Sequence, residues 1–108
     1  RYGTPLYMAP ELARGLPHVD GRADVFGLGH ILFEVITHRP LLSGQDTSEV
    51  VDQLLNNPFP KPSEIAPDKN ISPELEKICL KALEKNRRNR YQSAEALMHD
   101  LMEFLSRG

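Results

Sequence analysis

Few side chains in this sequence stand where they could do chemistry on their own. The four histidines (His18, His30, His38 and His99) do not fall at metal-ligand spacing with a suitable partner. They read as structural or exposed, and no metal site is expected. Cys79 is the only cysteine, so neither an internal disulfide nor a thiolate metal cluster can form. It lies in the apolar helical pattern Leu75, Ile78, Cys79, Ala82, where a small buried hydrophobe is the default. Lys85, Arg87, Arg88 and Arg90 make a short basic run interrupted by asparagine. It reads as a solvated helix end in preference to a phosphate-binding patch. What remains is one stretch, Gly3-Thr4-Pro5-Leu6-Tyr7-Met8-Ala9-Pro10-Glu11, with two hydroxyls and a carboxylate. Glu11 sits in a turn beside apolar Met8 and Leu12, so if buried it needs a fixed partner.

Five helical segments are expected to position these groups. The first is a short turn from Pro10 to Gly15, with proline at its start and glycine at its end. The second runs roughly from Gly21 to His38. Its Val25, Phe26, Leu28, Ile31, Leu32, Phe33, Val35 and Ile36 cover nearly every face of a helical wheel, the mark of a helix surrounded by protein. Gly27 and Gly29 each cost about 1 kcal/mol inside a helix, which points to close backbone packing against a neighbour. A third helix, Thr47 to Asn56, places Val50, Val51, Leu54 and Leu55 on one face. The segment Asn57 to Pro67 holds four prolines and reads as an extended surface connection. Ser72-Pro73-Glu74 opens a fourth helix with a capping hydroxyl, a proline and an acid near the positive end of the dipole. Ser93-Ala94-Glu95 opens a fifth, for which Leu97, Met98, Leu101, Met102 and Leu105 are the expected buried stripe. No alternating run is long enough for a strand, so the chain reads as all-α.

The bulk numbers exclude more than they identify. Thirteen basic against fifteen acidic residues leave no positive field, so nucleic acid is not an expected partner. No stretch approaches the roughly 18 apolar residues of a membrane span, and the N-terminus has no signal-like segment. A soluble, reducing, cytoplasmic setting without membrane contact from this segment is expected, although a longer parent could be membrane-anchored. The chain opens at Arg1 directly in a motif-rich stretch and reads as truncated.

The string Gly3 to Glu11 resembles the end of the activation segment of eukaryotic-type serine/threonine protein kinases, an Ala-Pro-Glu motif with its preceding substrate-docking loop. Two later features follow in the family's order. Asp20-Gly21-Arg22-Ala23-Asp24-Val25-Phe26-Gly27-Leu28-Gly29 resembles the start of the family's long central helix. Lys81 to Tyr91 resembles its closing segment, with Asn86-Arg87 in place of the common Asp-Pro. The flavour is closest to the bacterial members. The resemblance covers essentially all of residues 1–108, which would be a partial kinase domain from the end of the activation segment through the last helix of the C-lobe.

The resemblance implies roles. Thr4, Pro5 and Tyr7 would position substrate, with Thr4 favouring Ser/Thr over Tyr acceptors; a phosphorylation site at Thr4 is the other reading. Glu11 and Arg90 would form a structural ion pair, and an arginine can supply two parallel hydrogen bonds that a lysine cannot. Asp24 would anchor the catalytic loop, or serve as a simple helix cap. Ile31 and Val35 would be apolar anchors beneath the adenine side of the intact enzyme, or plain core. Glu34 resembles a position that sometimes favours basic substrates.

No catalytic residue is expected within this chain. His38-Arg39-Pro40 lacks the carboxylate of a His-Arg-Asp, and Asp24-Val25-Phe26-Gly27 falls inside a helix. The Gly-rich loop, the strand lysine, the His-Arg-Asp and a true Asp-Phe-Gly that phosphoryl transfer requires are not in the sequence. ATP and Mg2+ would therefore bind the complete domain and not this fragment. Its partners would be a protein substrate and the missing N-terminal part of the domain, whose absence leaves the central helix uncovered on one side. The alternative reading is a pseudokinase or docking module that binds protein partners without catalysis.

Overall fold

The structure is a computed structural model that describes residues 7–107. Among the described residues there are six α-helices and no strand: α1 (Pro10–Ala13), α2 (Arg22–Thr37), α3 (Thr47–Asn56), α4 (Pro62–Ile65), α5 (Pro73–Ala82) and α6 (Ala94–Ser106). A single 3-10 turn, Pro67–Lys69, links α4 to α5. The helix ends carry the expected chemistry. Ser72 accepts a hydrogen bond from the Glu74 N–H at 3.2 Å, and Ser93 accepts one from Ala96 at 3.1 Å. Asp46 caps α3 through the Glu49 N–H at 2.9 Å. Helix α2 stops at His38, whose left-handed backbone (φ 57°) turns the chain before Pro40.

Helix α2 is the centre, but it is buried on one face only. Val25, Phe26, Gly29, His30, Phe33 and Thr37 are covered, with α4, α5 and α6 as neighbours. Leu28, Ile31 and Val35 are 41%, 48% and 61% exposed. The all-round apolar wheel therefore marks a helix with one covered side and one bare apolar stripe among the described residues.

The close-packing expectation separates the two glycines of α2. A Cβ at Gly29 would lie 2.7 Å from the Ala82 Cβ and 3.1 Å from the Ala82 carbonyl carbon, so α5 rests directly on the α2 backbone there. Buried Cys79, one turn earlier on α5, has its sulfur 3.8 Å from the Gly29 carbonyl, and burial pushes its thiol pKa up to about 12. At Gly27 the nearest atom, the Tyr7 carbonyl oxygen, would be 3.5 Å away, an ordinary contact. Gly29→Ala is thus expected to destabilise the protein by about 1–2 kcal/mol, because overpacking against backbone outweighs the helix-propensity gain. Gly27→Ala is expected to be neutral or stabilising by up to about 1 kcal/mol. Urea denaturation of the two variants checks the contrast; equal midpoints would remove the argument.

Two expectations are corrected. The segment from Asn57 to Pro67 is not simply an extended connection. Pro62 opens α4 as its first residue, where a missing N–H costs nothing, and Pro62 and Ala66 are buried. The Glu76 carboxylate on α5 accepts the Ser63 N–H at 2.6 Å and fastens this short helix. In α6 the stripe is narrower than expected: Leu97 is buried and Leu101 and Phe104 pack beside it, whereas Met98, Met102 and Leu105 are 49%, 63% and 69% exposed. Both rows have helical spacing, and only one faces α5 and α2.

Candidate functional site

The residues singled out by sequence gather where the first turn, the head of α2 and the segment after α5 meet. Pro10 starts α1 and Glu11 follows in its first turn, which turns the carboxylate inward to 2% exposure. Arg90 comes in from the turn-rich segment before α6 and is 1% exposed. Its Nη1 donates to Glu11 Oε2 at 2.7 Å and its Nη2 to Glu11 Oε1 at 2.8 Å, a two-pronged pair. The remaining guanidinium hydrogens go to the carbonyls of Glu84 (2.9 Å), Arg22 (2.7 Å) and Lys85 (3.2 Å). All five N–H donors of Arg90 are used, and its guanidinium carbon lies 5.2 Å from the centre of the Phe26 ring. Burial pushes the Glu11 carboxyl up, but the Arg90 hydrogen bonds and charge prevail and hold it below the usual carboxylate range.

A second set of bonds ties the same segments together. Arg22 chelates Asp20, with Nε and Nη2 each 3.0 Å from a carboxylate oxygen, and its Nη1 reaches Gln92 Oε1 at 3.1 Å. Hydrogen bonds from Arg22 hold the Asp20 carboxyl down at about 2. Gln92 donates in turn to the Arg90 carbonyl at 2.6 Å. The basic run is accordingly not a solvated helix end. Helix α5 stops at Ala82, and Lys85 donates to the carbonyls of Gln53, Leu54 and Asn57 at the end of α3. Arg87 donates to those of His18 and Pro17, while Arg88 is exposed. These cations close the ends of other elements, a use that spacing along the chain does not reveal.

Farther along α2 lies Tyr7, which leads into α1. Its hydroxyl donates to Glu34 Oε1 at 2.9 Å, and its ring centre is 4.3 Å from that of His30. The hydrogen bond to Glu34 is the main reason the Tyr7 hydroxyl titrates above its ordinary value. His30 is buried, with Nε2 3.2 Å from Glu34 Oε2, and the Leu41 N–H adds 3.3 Å to the same oxygen. Burial lowers the His30 pKa more than the Glu34 charge raises it. The i,i+4 spacing of His30 and Glu34 was the signal available in the sequence.

Asp24 stands apart. It lies in the first turn of α2, exposed, and Gly21 is the cap residue, so the simple-cap reading does not hold. Thr4 and Pro5 lie outside the described residues.

Residues 1–102 match the family model described as the protein kinase domain. The chain belongs to the protein kinase domain family. The tyrosine-protein kinase MasK of Myxococcus xanthus (strain DK1622) is 43% identical over 104 residues, covering 96% of this chain and 16% of that protein. The serine/threonine-protein kinase PknB of Mycobacterium tuberculosis (strain ATCC 25618 / H37Rv) is 43% identical over 101 residues, 93% of this chain and again 16% of the relative. Among solved structures, the crystal structure of Rad53 kinase domain and SCD2 in complex with AMPPNP superposes with a TM-score of 0.68 at 24% identity. It covers 86% of this chain and 36% of that one. The helical fold is therefore a kinase fold, and the chain spans about a sixth of the two curated kinases it matches. No helix of the described residues is long and apolar enough to cross a membrane.

Proposed function

We propose that residues 1–108 are the part of a serine/threonine protein kinase domain from the end of the activation segment through the last C-lobe helix. On this reading the complete, cytoplasmic kinase domain moves the terminal phosphate of ATP, with Mg2+, to a protein Ser or Thr. This part supplies the docking loop and the helical base beneath it. The observation that carries the reading is the buried Arg90–Glu11 pair, which fastens the Ala-Pro-Glu turn to a segment 79 residues away at the very motifs that name the family. A docking loop must be held rigidly to position a hydroxyl acceptor, and a fully bonded guanidinium does that.

Thr4, Pro5 and Tyr7 would meet the substrate, and Glu34 beside Tyr7 offers a carboxylate to a basic substrate residue. Asp24, exposed in the first turn of α2, would reach the catalytic loop. Ile31 and Val35, exposed here, would be covered by the N-terminal part of the domain. No group of three His, Cys, Asp or Glu side chains among the described residues could hold a metal ion, so the residues present do not fit Mg2+ and no step of the transfer is assigned to them.

One relative is a tyrosine kinase by name, so acceptor specificity is the point to test. The full-length protein, given radiolabelled ATP and peptide arrays, is expected to label Ser or Thr, and the isolated 108-residue chain to bind no ATP. Labelling of Tyr alone would transfer the assignment to tyrosine specificity. A folded full-length protein that labels nothing would be a docking module, and the enzyme reading would be wrong.

A further inference from the structure

His30 is an unexpected residue at a covered position of α2, where a leucine or valine would pack without polar atoms. The residue is 2% exposed, and Nδ1 is buried without a hydrogen-bond partner among the described residues. An orphaned buried acceptor destabilises a fold, so packing alone does not account for it. The other ring nitrogen is engaged. Nε2 lies 3.2 Å from Glu34 Oε2, and an ionised carboxylate only accepts, so Nε2 carries the hydrogen and Nδ1 is bare. The same carboxylate receives the Tyr7 hydroxyl on Oε1 and the Leu41 N–H on Oε2. Three donors on separate elements thus hold both oxygens, yet the Glu34 side chain remains 30% exposed. A charge that is fixed in direction and still open to solvent is suited to a ligand rather than to the core.

We propose that His30 is a positioning residue for protein substrate: through its Nε2–H it fixes the Glu34 carboxylate and, through that carboxylate, the Tyr7 hydroxyl of the docking loop. This rests on the docking-loop reading given above. The tilted packing of the Tyr7 and His30 rings, at 55° between planes, makes the imidazole a support for the loop as well as a donor.

The test uses the full-length kinase and a peptide acceptor selected from an arrayed library by that same kinase. His30→Leu is expected to raise the KM for the peptide about five- to tenfold, with kcat and the KM for ATP unchanged. Its thermal midpoint is expected to equal or exceed that of the parent, since the orphaned nitrogen is gone. A purely structural histidine would do the reverse, lowering the midpoint and leaving KM alone. His30→Gln, whose amide can donate from near the Nε2 position, is expected to recover most of the loss. An unchanged peptide KM in His30→Leu, or no recovery in His30→Gln, overturns the proposal. Imidazole 15N shifts of the parent give an answer independent of any variant: hydrogen on Nε2 is expected, and hydrogen on Nδ1 overturns it. Glu34→Gln separates the two levels. If it leaves the peptide KM unchanged, the docking reading itself fails; if it raises KM and His30→Leu does not, only the role of His30 fails.

Discussion

Arg90→Ala is expected to destabilise the complete kinase domain by about 3–5 kcal/mol, enough to unfold a marginal one. The substitution leaves the Glu11 carboxylate buried with no counter-charge and strips hydrogen bonds from the carbonyls of Arg22, Glu84 and Lys85. Arg90→Lys is expected to recover little, because a compact ammonium cannot fork to two carboxylate oxygens and reach three carbonyls as well. Removing both charges together, as Glu11→Leu with Arg90→Met, is expected to cost less than Arg90→Ala alone, since no lone charge remains buried. Urea denaturation followed by circular dichroism measures all three. A loss within about 1 kcal/mol for Arg90→Ala would put the pair among ordinary surface ion pairs and end the argument.

The pair also sets a pH dependence. The folded-state Glu11 pKa lies below its ordinary value, so its contribution is complete above the usual carboxylate range and is lost as pH falls through the depressed value. The gap between parent and Arg90→Ala is therefore expected to narrow in acid. A constant gap down to pH values below that range would show that Glu11 titrates alike folded and unfolded.

Phe26→Ala is expected to cost about 3–5 kcal/mol, the range for a fully buried aromatic. Phe26 is 0% exposed and stands where the core meets the ion pair. Its ring centre lies 6.0 Å from that of Phe59 and 6.4 Å edge-on from that of His30, with the Arg90 guanidinium above it. Truncation thus opens a cavity and removes one wall of the site that keeps Arg90 in register. Phe26→Leu keeps much of the volume and is expected to cost about half as much. Because Phe26 and Arg90 touch, the double variant with Arg90→Ala is expected to be less damaged than the two losses summed, by about 0.5–3 kcal/mol. Simple additivity would show that the ring and the guanidinium act independently.

The local elements and the family resemblance are legible along the chain. The capping serines of Ser72-Pro73-Glu74 and Ser93-Ala94-Glu95 start helices through bonds made within three residues, so no distant partner is needed to read them. The bounds of α3 were legible for the same reason, and so were those of α2 to within one residue at each end. The bond between Glu11 and Arg90 is of another kind. Charge and burial alone require some partner for Glu11, and it was the family resemblance that pointed to Arg90; the geometry that uses all five donors came only with the folded chain.

Sidedness was decided by tertiary structure alone. The rows Leu97-Leu101-Phe104 and Met98-Met102-Leu105 have the same periodicity, and only the presence of α5 and α2 on one side makes the first of them core. The same holds for Gly29 and Gly27, two residues apart, of which the first leaves no space for a Cβ against Ala82 and the second would make only an ordinary contact. Pro62 forms a helix because Glu76 and the core accept it there, although the prolines around it suggest extended chain. The place of His30 depends on Tyr7 and Leu41, which share the Glu34 carboxylate with it. Periodicity and capping are short-range and written along the chain, whereas the partner of a buried polar atom depends on segments that only the fold brings together.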